Sequence, residues 1–262
     1  MELWLYLRLG RMPQAVKTIA KEIGADQYTI CGNGTLIYDL QKEEIIYNAF
    51  MEKEKVLKII KICEENSIYY NVYTENEVIT KSLNYNTLFY DKENSKKPME
   101  KRTNINIVEN VYKYIENKQD IQILKMTICD NDKIIFGSII KKLKLIPKID
   151  ILEIEHMSKK VIKDGTLEVP IEYYYTEIAK KNTNKWTAIE YLIKKLNIKP
   201  DEVMTIGDNA NDKEMVEKAG LGVSMGNSML SANNIGDVFV SDNNQNGVAE
   251  AINQYINNRK EM

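Results

Sequence analysis

Histidine is almost missing from this chain: His156 is the only one in 262 residues. No G-x-S-x-G elbow accompanies it, so a Ser/His/acid triad has no support, and His156 reads as a polar residue near a strand end. Cysteine is scarce too. Cys31, Cys63 and Cys129 are odd in number, far apart and never arranged as C-x-x-C, which argues against a disulfide framework and a zinc site and fits the reduced thiols of a cytoplasmic protein. Basic charge is not in surplus. Lys+Arg 36 against Asp+Glu 38 leaves a net charge of −2, with nothing to neutralise a nucleic-acid backbone. Long apolar runs are lacking as well: none approaches the roughly 20 residues that span a bilayer. The opening MELWLYLRLGRMP is broken by Arg8 before it reaches the roughly seven apolar residues of an export signal. The expectation is a cytoplasmic protein with neither a nucleic acid nor a membrane as partner.

What is present is an ordinary globular composition, 44% hydrophobic over 262 residues. That length can bury one large core or two modest ones, and one domain with a sizeable insertion is the starting expectation. Leu3, Leu5, Leu7 and Leu9 alternate as in a strand, and Val16, Ile19, Ala20 and Ile23 share one helical face that Gly24 closes. Tyr28 to Cys31 and Leu36 to Tyr38 flank the turn-like Gly32-Asn33-Gly34. From about residue 48 the texture changes. Val56, Ile59, Ile60 and Cys63 mark a helix, Ile68–Thr74 and Val78-Ile79 two strands, and Ile107, Val108, Val111, Tyr112 and Ile115 another helix. A strand at Ile121–Cys129, a helix near 133–143, strands at Asp150–Met157 and Ile171–Ile178, and a loop or hairpin at Ser158–Pro170 follow. This unordered mixture suggests an α+β insert. After Lys185 helices and strands alternate strictly, with strands at Val203–Ile206, Leu221–Ser224 and Val238–Val240 and a last helix over Val248–Ile256. Alternation of that kind implies right-handed crossovers and a parallel sheet.

The stretch that carries chemistry is Gly207-Asp208-Asn209-Ala210-Asn211-Asp212, between an apolar strand and a helix. Ligands of open α/β sheets bind beyond the carboxyl ends of the strands, where this loop falls. Asp208 and Asp212 around a tight turn can converge on one cation, and their hard oxygens suit Mg²⁺. Asn211 adds an amide able to donate to a phosphate oxygen. From spacing alone an Asn/Asp-rich turn with Asp212 as a helix cap explains the stretch equally well.

The run GDNANDKEMVEKAGLGVSMGNS, followed by SDNNQNGVAEAI, closely resembles the C-terminal signature of the Cof-type phosphatases of the haloacid dehalogenase-like (HAD) superfamily. The resemblance implies that Asp208 binds Mg²⁺, that Asn211 contacts the substrate phosphate and that Asp212 supports the metal site. It gives Met225-Gly226-Asn227 a structural role. Asn184-Lys185-Trp186-Thr187-Ala188 resembles the family's S-K-G-T-A segment, which makes Lys185 the catalytic cation on the transferring phosphoryl group. Trp186 replaces the usual glycine, which bears on substrate fit. Leu9-Gly10-Arg11 lines up with T-G-R without its threonine, leaving Arg11 as a substrate-phosphate contact or a surface arginine. Asn33-Gly34-Thr35-Leu36-Ile37-Tyr38-Asp39 looks like N-G-A-L-I-Y-D. The fold implied is α/β, a Rossmann-like HAD core with a parallel sheet at about residues 1–47 and 175–262, interrupted by an inserted α+β cap at about 48–174. The partner implied is a small phosphorylated metabolite, often a sugar phosphate, with Mg²⁺ as cofactor.

One departure outweighs the others. The family opens on D-x-D-G-T, whose first Asp attacks phosphorus, and no such string occurs in these residues. Asp164-Gly165-Thr166-Leu167 has Ile162 at the nucleophile position and reads as a hairpin turn. Asp130-Asn131-Asp132 is followed by Lys133-Ile134 and reads as a solvated turn, while Cys31 to Leu36 is explained by its N-G-A-L-I-Y-D match. A strand and crossover helix amount to roughly 30 residues, and DNA upstream of Met1 is expected to encode D-x-D-G-T in some frame. Without that aspartate no acyl-phosphate forms, and hydrolysis by this chain is expected to be very weak or absent. A non-catalytic protein that keeps the Mg²⁺ and phosphate contacts, or an unstable remnant, are the alternatives.

Overall fold

The computed structural model describes residues 7–8, 16, 20, 22–25, 27–152, 157–164, 167–228, 230 and 233–257. Leu3, Leu9, Gly10, Arg11, Ile19 and His156, named above, lie outside the described residues, as does most of the opening strand. The chain divides into two compact units, Met1–Thr183 and Asn184–Met262.

Within the first unit, β1 (Leu7–Arg8), β2 (Tyr28–Cys31), β3 (Leu36–Asp39) and β4 (Glu44–Asn48) form a four-stranded sheet in that order. The β1/β2 pair is parallel and the others are antiparallel. The β2/β3 reversal works because Asn33 takes the left-handed conformation, φ 59°, which Asn tolerates better than most non-glycine residues. Thr35 Oγ1 donates to Gly32 O at 2.8 Å and ties the turn.

A seven-stranded sheet follows, built from β5 (Tyr69–Thr74), β6 (Val78–Thr80), β7 (Ile105–Ile107), β8 (Ile123–Asp130), β9 (Ile149–Ile151), β10 (Ser158–Asp164) and β11 (Leu167–Lys180). Its order is β10-β11-β8-β5-β6-β7, with β9 also on β11. Helices α1 (Lys53–Glu65), α2 (Tyr85–Asn94), α3 (Val111–Asn117) and α4 (Lys133–Leu143) connect these strands. Residues Val56, Ile59, Ile60 and Cys63 of α1 are buried, as their spacing predicted. With Val111 and Ile115 of α3, Phe136 and Ile139 of α4, and Val72, Met126, Ile128 and Ile178 of the strands they make one aliphatic core. Each such side chain contributes about 1.5–3 kcal/mol when fully buried. Asp132 starts α4 by accepting from Ile134 N at 2.7 Å and Ile135 N at 2.9 Å, the cap expected of a solvated turn.

The second unit alternates α5 (Lys185–Leu196), β12 (Met204–Gly207), α6 (Lys213–Lys218), β13 (Leu221–Met225), β14 (Val238–Val240) and α7 (Gly247–Ile252). Its three strands are parallel, in the order β12-β13-β14, as the alternation predicted. Among the described residues β12 pairs with β13 alone.

Several details differ from the sequence reading. Ile107 ends strand β7 instead of entering a helix, and the helix starts at Val111. The run Ile105, Ile107, Val108, Val111 satisfies both periods over its short length, and pairing of β7 with β6 decides it. Helix α2 was not foreseen, because its buried residues are Asn86 and Thr87. Ser158–Asp164 and Leu167–Pro170 belong to the β10/β11 hairpin, in which Asp164 pairs with Leu167; Gly165 and Thr166 lie outside the described residues. Helix α7 stops at Ile252 and widens into a looser turn over Asn253–Asn257.

Candidate active site

Strand β12 ends at Gly207, and the chain must then turn sharply toward α6. Glycine is required there by proximity: a Cβ on Gly207 would lie 2.6 Å from Asp212 Cβ and 2.9 Å from Val216 Cγ2. The loop closes on one carboxylate. Asp212 Oδ2 accepts from the backbone N–H groups of Asp208 and Asn209, each at 3.2 Å. Asn209 Oδ1 in turn caps Ala210 N at 2.8 Å. Asp212 is therefore the residue around which the G-D-N-A-N-D loop is wound, and it is 4% exposed.

Helix α5 brings Lys185 to the same point. Asn184 caps the helix by accepting from Thr187 N at 3.0 Å, and Thr187 Oγ1 accepts from Asn184 N at 3.2 Å. This reciprocal box fixes the first turn, on which Lys185 sits. Lys185 Nζ donates to Asp212 Oδ1 and, at 3.2 Å, to Asn211 Oδ1. Both partners of the ion pair are buried, with side chains 9% and 6% exposed. A buried ammonium in a water-poor corner is a strong, fixed positive field. Asn184 also donates to Glu214 of α6, so the two helices share a polar clamp.

The structure thus brings together Lys185, Asn211 and Asp212, with Asp208 on the same loop. Asp208 itself is exposed and its carboxylate accepts no hydrogen bond among the described residues. Arg11, the other phosphate contact expected, lies outside the described residues. Trp186 turns into the core beside Ile193, Met215, Val216 and Leu230, so its bulk is absorbed by packing. Met225-Gly226-Asn227 is held by Gly226 N on Ser241 O at 3.3 Å and by Asn243 N on Asn227 Oδ1 at 3.2 Å, which is structural work.

Magnesium is held through one or two carboxylates, with waters and substrate phosphate completing its shell. Asp208 supplies a carboxylate of that kind, whereas both oxygens of Asp212 are committed to Lys185 and the loop. No cluster of three or more His, Cys, Asp or Glu able to hold an ion occurs among the described residues. The donor set fits the ion as a partial cradle, one loop carboxylate with the rest of the shell left to water and phosphate.

A buried lysine, an amide and two aspartates thus gather at the carboxyl end of a parallel strand of an α/β unit, where ligands of open α/β sheets bind. A family model for haloacid dehalogenase-like hydrolases matches residues 7–252, and the chain belongs to that family. Phosphatase YwpJ of Bacillus subtilis is 26% identical over 94% of this chain and 86% of its own length. Pyridoxal phosphate phosphatase YbhA of Escherichia coli is 21% identical over 96% of this chain and 86% of its own length. Among solved structures, a haloacid dehalogenase-like hydrolase from B. subtilis superposes with a TM-score of 0.75 at 20% identity, covering 97% of this chain and 88% of that one. A HAD subclass IIB sugar phosphatase gives a TM-score of 0.70 at 19% identity, over 97% and 85% of the two chains. The fold is the α/β, Rossmann-like one expected from the motifs.

Polar groups that sequence reading missed lie in the first unit. Lys125 and Glu177 form an ion pair at 2.6 Å, and Asn33 donates to the second Glu177 oxygen. Nothing local marks them, since β-strand lysines and glutamates are ordinarily solvated.

Proposed function

We propose that this chain is a Mg²⁺-dependent phosphomonoesterase of the Cof type that acts in the cytoplasm on small phosphorylated metabolites, sugar phosphates among them. In this reading residues 1–47 and 175–262 supply the core and 48–174 the cap. The observation that carries the proposal is the buried Lys185, held by Asp212 and Asn211 at the end of β12. Its ammonium is preorganised to stabilise charge that builds on a transferring phosphoryl group, and Asn211 orients a phosphate oxygen. Asp212 fixes both by holding the loop. Asp208 would hold the metal ion, which supplies charge neutralisation at phosphorus when bound.

No D-x-D-G-T string occurs in these 262 residues, so in this reading the chain by itself is expected to hold phosphate and metal with very weak or no turnover. The test is hydrolysis of p-nitrophenyl phosphate with Mg²⁺, by this chain and by one extended upstream to include a D-x-D-G-T strand. Activity in the extended form alone supports the phosphatase reading. Inactivity in both favours a non-catalytic binding protein, the second reading, which the missing nucleophile string motivates.

A further inference from the structure

Two consecutive residues at the start of α5 reach across to the start of α6. Lys185 Nζ meets Asp212 Oδ1 and Asn211 Oδ1, and Asn184 Nδ2 donates to Glu214 Oε2 at 2.5 Å. The first grip uses the groups of the phosphate site. The second uses Glu214, whose other oxygen accepts from Lys218 Nζ at 2.5 Å, one turn further along α6. Both carboxylate oxygens of Glu214 are thereby engaged, one toward each helix.

Asn184 is shared in the same way. Its Oδ1 accepts from Thr187 N at 3.0 Å and its backbone N–H donates to Thr187 Oγ1 at 3.2 Å, which leaves Nδ2 for Glu214. The capping box gives the first turn of α5 its shape, since its bonds lie within that turn. It cannot set where the turn sits against α6. Trp186 and Ile193 share an apolar cluster with Met215 and Val216, but apolar burial is non-directional and holds spacing better than register. The bond from Asn184 to Glu214 is directional and lies one residue from Lys185. A serine, the residue that the S-K-G-T-A segment carries at this position, could cap α5 through its oxygen but has no amide to send across.

On the reading of Lys185 as the cation that meets phosphate, we propose that Glu214 is a positioning residue: through Asn184 it fixes the register of α5 on α6, and so the point from which the Lys185 ammonium reaches a phosphoryl oxygen. Lysine has a flexible four-carbon stem, so the place where that stem begins governs the approach. A displacement of about 1 Å is enough to matter for a transferring group.

The full chain tests this with inorganic phosphate, titrated calorimetrically in the presence of Mg²⁺, beside the hydrogen-exchange rate of the Lys185 ammonium, followed by nitrogen NMR and assigned through Lys185→Arg. Asn184→Ser keeps the cap and loses the tether, and Glu214→Ala loses its acceptor. Each is expected to weaken phosphate binding by about threefold to tenfold, the worth of one hydrogen bond, and to speed ammonium exchange. Because both break the same bond, the double variant is expected to be no worse than either single one. Glu214→Gln retains an acceptor and is expected to restore most of the affinity, while Lys218→Ala leaves Asn184 tethered and is expected to change neither readout. Additive losses, a Glu214→Gln variant no better than Glu214→Ala, or an unmoved ammonium exchange rate would each overturn the positioning role; a purely structural Glu214 would lower the urea midpoint alone. Should the unaltered chain bind no phosphate, the phosphate site fails and the role of Glu214 with it, whereas normal binding that ignores these substitutions refutes only the tether.

Discussion

Lys125 and Glu177 lie on neighbouring strands of the seven-stranded sheet, with Nζ 2.6 Å from Oε1 and both turned to the face that carries no aliphatic core. Glu177 uses its other oxygen to accept from Asn33 of the β2/β3 turn, and the Tyr73 ring lies 5.1 Å from the ammonium. One carboxylate therefore joins the turn of the four-stranded sheet to the larger sheet. Met51 N on Ile123 O at 2.9 Å and Thr35 Oγ1 on Leu124 O at 3.3 Å add to the same junction.

This pair should reveal itself by the asymmetry of its mutants. Lys125 is the more buried partner, 8% exposed against 21% for Glu177. Glu177→Leu strands a buried ammonium and is expected to cost about 3 kcal/mol. Lys125→Met leaves a carboxylate that water reaches and should cost less. The double variant should recover much of the loss, because two apolar groups in place of a buried pair are often nearly neutral. Urea unfolding of the four proteins closes the cycle, and additivity of the two single losses would show that the pair is not coupled.

Asp208 and Asp212 should separate into an ion ligand and a scaffold. Asp208→Asn changes an exposed side chain and is expected to alter the unfolding midpoint within about 0.5 kcal/mol while weakening Mg²⁺ binding. Asp212→Asn leaves the Lys185 ammonium buried without its counter-charge, at an expected cost of about 3 kcal/mol. Isothermal titration with Mg²⁺ beside thermal unfolding distinguishes the two. Equal effects of both substitutions on stability would contradict the division of labour.

Gly207→Ala tests the geometry of the loop. The added methyl meets Asp212 Cβ at 2.6 Å and Val216 Cγ2 at 2.9 Å, and overpacking of this kind costs roughly 1–3 kcal/mol. Since Asp212 is one of the atoms displaced, inorganic phosphate should also bind more weakly. A variant with unchanged midpoint and unchanged phosphate affinity would show that the loop has slack.

The strand, turn and helix start around the acidic loop and Lys185 were legible because they are local, whereas the roles given to Asp208, Asn211, Asp212 and Lys185 came from the resemblance and not from spacing. A strand, a turn and a helix cap each leave a mark within a few residues, and Asn184 with Thr187 shows how a cap places its neighbour. Helix α1 was legible for the same reason, its four buried residues falling on one stripe. Helix α2 left no such mark, since what it buries is Asn86 and Thr87. The Lys125, Glu177 and Asn33 cluster joins positions 52 and 144 residues apart, and no periodicity announces a contact of that range. Ile107 failed for want of length, because the four apolar residues Ile105, Ile107, Val108 and Val111 fit two periods.

Alkaline pH should destabilise the first unit more steeply than its surface charge suggests. Burial pushes the Cys63 and Cys129 thiols above their ordinary value of 9.0, and the phenols of Tyr69, Tyr70, Tyr73 and Tyr173 above 10.0. For each group the folded form keeps its proton after the unfolded form has lost it. The stability these groups lend is complete below their unfolded values and is lost as pH rises toward the folded ones. Each titrating group then contributes a slope of about −1.4 kcal/mol per pH unit. Urea midpoints are therefore expected to hold steady to about pH 8.5 and to fall with growing slope above pH 9 to 10. Tyr73→Phe removes one of these phenols and should flatten the limb above pH 10 by one group's share, at the cost of the Asn86 hydrogen bond at neutral pH. A midpoint that stays level through pH 10.5 would mean that these phenols and thiols ionise in the folded chain as freely as in the unfolded one.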